Sequence, residues 1–294
     1  MPGLRDIKRK IEAVKKTQQI TRAMNMVAAA KLRAVQARME GFRVYADKYK
    51  ELIGRLSLVS GLDEASFPLL EKREEIKRVH LVVLTADRGL CGAFNTNLVN
   101  QAEKYIKQIQ SEGKEIFLTV VGRRGASHFR RYYPQLLKKT YEDIVGKIDY
   151  ALVHRMAQEL TNSFLSGEAD EVVLLYAHFV SVLRQVPTIE VMLPIEPQGV
   201  SEEEISQIDY IYEPKASEIL KGILPKSINV QLYSRLLENE VSEHAARMTA
   251  MDNATNNCKE MITQLTLVYN KARQASITKE LMDIVGGAEA LRQG

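Results

Sequence analysis

Stepping alternately four and three residues from Ile7 visits Ile7, Ile11, Val14, Gln18, Thr21, Asn25, Ala28, Leu32, Val35, Met39, Phe42, Ala46, Tyr49, Ile53 and Leu56. Twelve of these fifteen positions are apolar, and the register holds for seven heptads. Gly41 and Gly54 are the only glycines between Leu4 and Ser60, and no proline interrupts the run. A narrow apolar seam of this length predicts one long helix in a coiled coil. At about 1.5 Å per residue, some fifty residues make a rod on the order of 75 Å. One compact domain cannot enclose such a rod, so part of it is expected to protrude or to meet another chain.

The other end of the chain carries a matching stripe. Val230, Leu237, Val241, Met248, Met251, Thr255, Cys258, Ile262, Leu265, Tyr269 and Ala272 share one heptad register, with Ser234 and His244 in its two polar gaps. Pro214 and Pro225 stand near the start, where a helix can begin or bend. After Ala272 the stripe shifts by a residue, to Ile277, Leu281 and Ile284. Two long helices with narrow stripes at opposite ends of one chain are most simply paired antiparallel with each other, a pair of separate homodimeric coils being the alternative.

Between them the pattern changes from period 3.6 to short β-rich runs alternating with amphipathic helices. Val79–Thr85, Glu115–Val121, Glu171–Ala177 and Thr188–Leu193 read as strands. Helices are expected from about Asn95 to Ser111, from Arg123 to Tyr132 and from Ile148 to Leu165. Strands alternating with helices imply a largely parallel sheet covered on both faces. Pro194, Pro197 and the acidic Glu202–Glu204 mark a loop leading back to the C-terminal helix. The expected class is α/β: a long antiparallel coiled coil of N- and C-terminal helices with an inserted Rossmann-like α/β domain. The expected segments are residues 1–60, 75–200 and 215–290.

Composition adds exclusions. The 294 residues are 45% hydrophobic, with no Trp and a formal net charge of +4, ordinary values for a folded protein. No run of about 18 apolar residues occurs, so no bilayer-spanning helix is expected. Met1–Ile7 passes directly into charged sequence without an apolar core, so neither a secretory signal nor a transit peptide is expected. Cys91 and Cys258 lie far apart without metal-ligand spacing, which fits a reducing compartment and excludes a disulfide framework.

The charge is informative only when divided along the chain. Residues 1–50 carry +9, residues 51–214 carry −6 and residues 215–294 carry +1. A strongly basic helix suggests an anionic partner. Aromatics are missing among its basic residues before Phe42, and no nucleic-acid recognition motif appears. An acidic protein surface fits at least as well, and a simply solvated helix is the third reading.

Candidate chemistry is sparse. Gly89–Gly92 and Gly122–Gly125 each follow a strand, where phosphate loops sit, but neither matches G-x-G-x-x-G and no P-loop occurs. They read as tight turns. Cys91 lacks a neighbouring general base and reads as a small buried turn residue. His80, His128, His154, His178 and His244 are dispersed, with no metal-binding pair. Met24, Met26, Met248 and Met251 follow the stripes and fit packing better than a cofactor box. No acid, base and nucleophile converge, and no cofactor or metal is expected.

Several segments carry specific sequence as well as pattern. They are Asp6–Ile11, Thr17–Leu32, Asp87–Asn95, Ser242–Met251, Leu267–Thr278 and Ile277–Ala290. In order, they resemble the gamma subunit of F-type ATP synthases. The resemblance implies a central rotor shaft, not itself catalytic, inside a ring of alternating alpha and beta subunits. Its globular part would sit against epsilon and the c-ring, with membrane contact only through the c-ring and no nucleic acid. Turned by proton flow, the shaft would force each beta subunit through different nucleotide affinities. Arg273, Gln274 and Thr278 match positions that engage the beta catch loop, Met24 one that faces the beta lever, and Arg247 lies in the matching helix segment. Leu281 and Ile284 would turn in an apolar bearing, and the +9 segment would face the acidic levers. Asp87, Arg88, Gly89, Leu90, Cys91 and Gly92 correspond to a signature loop. The cysteine pair of chloroplast relatives is not matched. The expected location is the cytoplasmic side of a bacterial plasma membrane. The rival readings are a nucleotide-dependent enzyme with dimerising arms and a basic nucleic-acid adaptor.

Overall fold

The computed structural model describes residues 3–59, 67–144, 146, 148–197 and 212–292. The acidic Glu202–Glu204 lies outside the described residues. Helix α1 runs Leu4–Val59 without a break. Then come β1 (Arg78–Leu84), α2 (Phe94–Ser111), β2 (Glu115–Val121), α3 (Arg123–Tyr132), β3 (Leu137–Tyr141) and α4 (Tyr150–Leu165). The antiparallel pair β4 (Glu171–Ser181) and β5 (Arg184–Leu193) leads to α5, Ala216–Arg292, with Pro225 inside its first turns. Pro225 has no amide to offer the Lys221 carbonyl, so it marks a point where the helix can bend.

The chain divides into two compact units, Met1–Ala28 with Met248–Gly294, and Ala29–Arg247. In the first, the two helix ends pair antiparallel. Asn25 donates to the Met248 carbonyl at 2.9 Å, and Thr255 donates to the Thr21 hydroxyl at 2.8 Å. The seam is the one read from the sequence: all fifteen α1 positions from Ile7 to Leu56 are buried or half-buried. From Ile7 to Ala46 the only other positions not fully exposed are Met24, Ala29 and Gln36. On α5, Met251, Thr255, Cys258, Ile262, Leu265, Tyr269 and Ala272 are likewise the sheltered row.

In the second unit a five-stranded sheet has the order β3-β2-β1-β4-β5, parallel except for β5. Alternation along each strand supplies two cores. Val79, Leu81, Val83, Val173 and Leu175 face α2 and α3, where Leu98, Ile106 and Phe129 fill the layer. Val82, Leu84, Val172 and Leu174 face the other way, against Met156 and Phe164 of α4, Ile53 and Leu56 of α1, and Leu224 to Leu236 of α5. The last turns of α1 and the first turns of α5 thus belong to the core of the α/β unit. Here too α1 and α5 touch: Arg38 donates to the Tyr233 hydroxyl at 2.9 Å, and the Phe42 and Tyr233 rings meet edge to face.

The sequence reading did not contain β3. Its Leu-Lys-Lys-Thr-Tyr run is too short and too charged to stand out, and those properties suit an edge strand. Strand β4 extends four residues past the expected end, because it pairs with β5 as a hairpin beyond the last β1 partner.

Candidate functional site

Two sets of residues singled out by the sequence occupy different settings. Arg273, Gln274, Thr278, Leu281 and Ile284 lie on the last turns of α5, and all are exposed. Gln274, Thr278, Leu281 and Val285 follow at spacings of four, three and four, so they share a helix face. The Thr278 hydroxyl donates to the Gln274 carbonyl at 3.0 Å, within the helix. Ile277, Leu281, Met282, Ile284 and Val285 are each about half exposed or more. From Arg273 to Ala288, Ser276 alone is even half-sheltered. Five large apolar side chains on three turns make a patch that water penalises and a partner can cover. The shift in the stripe after Ala272 therefore marks where shelter by this chain ends.

On α1, in the stretch that pairs with these C-terminal turns, Lys8, Arg9, Lys10, Lys15, Lys16 and Arg22 are exposed, and among the described residues none has an acidic partner. Met24 is half-buried beside the seam.

The loop Asp87–Gly92 follows β1. Asp87 Oδ1 accepts from the backbone amides of Arg123 and Asp143, both at 2.9 Å. A carboxylate thus sits on the first amide of α3, where a doubly wound fold would offer a helix N-terminus to a phosphate. Leu90 and Gly92 adopt left-handed backbone, φ 62° and 58°, which turns the Cys91 side chain inward. Cys91 Sγ accepts from Asn95 Nδ2 at 3.1 Å, and burial pushes its thiol pKa up, so it is a packing residue and not a ready nucleophile. A Cβ on Gly89 would lie 2.6 Å from the Arg124 guanidinium.

Arg247 closes this loop. Its Nη2 donates to the carbonyls of Arg88 and Gly89 at 3.4 and 3.3 Å, and pairs with Glu243 at 2.6 Å. Burial raises the Glu243 pKa against the opposing pull of Arg247. The sequence placed Arg247 and the loop in separate motifs, and the structure brings them together.

Earlier on α5, three further side chains reach the sheet. Asn239 Oδ1 accepts from the Ala177 amide at 3.0 Å, Ser242 donates to the Ala177 carbonyl at 2.8 Å, and Glu238 accepts from the Phe179 amide at 3.2 Å. Sequence reasoning missed Glu238 and Asn239. The available signal was a charged and amide run, Glu-Asn-Glu, interrupting an otherwise apolar helix at 238–240.

Fold and surfaces together define a class: a protein whose two terminal helices pair antiparallel and whose intervening residues build an α/β unit, with a partner-ready surface on its last turns. The family model described as ATP synthase matches residues 3–291. The ATP synthase gamma chain of Syntrophobacter fumaroxidans is 50% identical, with all of both chains aligned. That of Nitratidesulfovibrio vulgaris is 49% identical over 99% of this chain and all of its own. This chain belongs to the ATP synthase gamma chain family. Among solved structures, the central stalk and c-ring of the Tetrahymena thermophila mitochondrial ATP synthase includes a chain 25% identical, TM-score 0.59, covering 80% of this chain and 99% of that one. A chain of the Euglena gracilis mitochondrial ATP synthase shares the fold, with TM-score 0.70 over 99% of this chain and 95% of that one, at 21% identity.

Proposed function

We propose that this chain is the central rotor shaft of a proton-translocating ATP synthase and is itself non-catalytic. It would couple rotation of a c-ring to nucleotide turnover on beta subunits. The observation that carries the reading is the set of α5 turns from Arg273 to Val285. They present five exposed apolar side chains with Arg273, Gln274 and Thr278 beside them, on a chain of the gamma family.

Those turns suit a bearing. An apolar helix end inside a ring loses water-exposed surface at every angle, while the polar residues just before it meet a different subunit at each orientation. Only interactions that differ between orientations can shift a subunit between conformations. Arg273, Gln274 and Thr278 are the residues proposed to make that difference at the beta catch loop. The cations Lys8 to Arg22, without an acidic partner among the described residues, would face acidic segments of the same ring, where each approach is favourable and screened by salt. Epsilon and the c-ring are the proposed partners of the α/β unit. Among the described residues no helix is long and apolar enough to cross a membrane, which fits membrane contact made only through the c-ring, at the cytoplasmic face of a bacterial membrane.

Mixing the purified chain with alpha and beta subunits tests the reading. The expected result is a stoichiometric complex with ATPase activity, against none for the chain alone. Turnover by the chain alone, or no complex at all, would overturn it.

A further inference from the structure

In a doubly wound sheet the ligand crevice opens at the carboxyl ends of the strands where the strand order reverses. Here the order β3-β2-β1-β4-β5 reverses between β1 and β4. That crevice is filled by α5. Its Arg247 lies on the loop that leaves β1, and its Glu238, Asn239 and Ser242 lie on the end of β4. The β1–β4 ladder stops at the Val83–Leu175 pair, which leaves the β1-facing edge of β4 without a strand just where Ala177 and Phe179 follow. The α5 side chains take over as hydrogen-bond partners: both main-chain groups of Ala177 and the amide of Phe179 end on them. Asn239 and Ser242 are 4% and 0% exposed, so these bonds run in a water-poor setting where loss of either partner strands a buried polar group. Arg235, bonded to both Glu190 of β5 and Glu238, braces the same patch.

From this geometry we infer that the segment Glu238–Arg247 is a torque clamp. The α/β unit grips α5 at this switch-point crevice through side-chain-to-main-chain bonds, and force applied to the sheet enters the shaft there. Apolar packing alone is non-directional and lets a helix roll. Bonds from one face of α5 to fixed main-chain atoms resist rolling and set the angle of the helix in the unit. A nucleotide cannot enter this crevice without displacing the helix. The inference rests on the rotor reading for the direction of force, but the clamp itself is a property of this chain.

The test is Asn239→Leu with Ser242→Ala in the assembled complex. Amide exchange at Ala177 reads the clamp directly, and protection is expected to fall about fivefold or more. With the alpha–beta ring immobilised, the angular variance of a bead fixed to the β4–β5 turn reads torsional stiffness. It is expected to roughly double, since a loosened joint is the softest element in a densely packed shaft. Ser242→Thr with Asn239 left in place, which keeps both bonding groups, should leave both readings at the wild-type level. Lost protection with unchanged variance overturns the torque role, and unchanged protection overturns the clamp. Should the double variant fail to assemble, Asn239→Leu alone, which removes the acceptor of the Ala177 amide, is read in the same way. A wild-type bead that never turns with ATP counts against the rotor reading, while the exchange result still decides the clamp.

Discussion

Replacing Leu281 and Ile284 with alanine separates what α5 does for its own fold from what it does for a partner. The two residues are 56% and 68% exposed, so in the isolated chain most of their apolar surface is already in water. Alanine is a good helix former, and an exposed substitution of this kind moves stability by no more than about 0.5 kcal/mol. Burial of a whole Leu or Ile side chain is worth roughly 1.5–3 kcal/mol. With over half of each still open, enclosure in a bearing adds about 1–2 kcal/mol per residue, or about 3 kcal/mol for the pair. That corresponds to about 100-fold in affinity. Titrating fluorescently labelled chain into alpha–beta ring gives the affinity, and urea denaturation of the free chain gives its stability. As a contrast, Leu32→Ala, in a seam position only 5% exposed, should cost the free chain about 2–5 kcal/mol. Unaltered ring affinity in a folded Leu281/Ile284 variant would refute the bearing argument, and equal destabilisation by both substitutions would refute the distinction between seam and patch.

Other consequences are as direct. Gly122 has φ +93°, and a Cβ there would stand 2.3 Å from the Thr85 carbonyl oxygen; Gly122→Ala should cost at least about 3 kcal/mol by denaturation, and a neutral result would contradict the packing around Thr85. His80 donates or accepts at Thr119 at 2.8 Å, and burial lowers its pKa to about 4. The unfolded chain therefore binds the extra proton first, and stability is lost as pH falls from about 6.5 towards 4, by about 3 kcal/mol at the lower end. His80→Gln should flatten that slope, and identical pH profiles would exclude His80 as its source. Replacing Arg273 and Gln274 together should weaken ATP synthesis in membranes while leaving the melting temperature of the free chain in place; full synthesis would remove them from the catch-loop contact. Thr21→Val should lower hydrogen-exchange protection around the Thr21–Thr255 bond, since the half-buried Thr255 hydroxyl loses its cross-helix partner and keeps only the Met251 carbonyl of its own helix; no change would show that this polar seam pair does not fix register.

What the sequence could reveal depended on whether the signal was local. The seam from Ile7 to Leu56 repeats one physical requirement fifteen times, and each position falls on the sheltered side. Strands β1 and β2 and helix α3 were equally plain, since continuous apolar runs and glycine punctuation are local signals. Strand β3 was hidden because an edge strand needs no apolar face. The grip of Arg247 on the Arg88–Gly89 carbonyls joins residues about 160 positions apart, and side-chain-to-main-chain bonds leave no pattern on the main-chain partner: Ala177 and Phe179 read only as strand. The exposed patch on α5 was visible as a stripe that changes phase after Ala272, but its meaning came only with the finding that none of the described residues covers it.

The central claim is that the α/β unit and its helices turn as a shaft. With the native Cys258 replaced by serine, a cysteine introduced at Leu183, which is 82% exposed in the β4–β5 turn, would carry a bead on a ring-immobilised complex. Rotation of the bead in one direction on adding ATP, stopping when ATP is withdrawn, is the predicted result. A bead that stays fixed while the same complexes hydrolyse ATP at full rate would contradict the account.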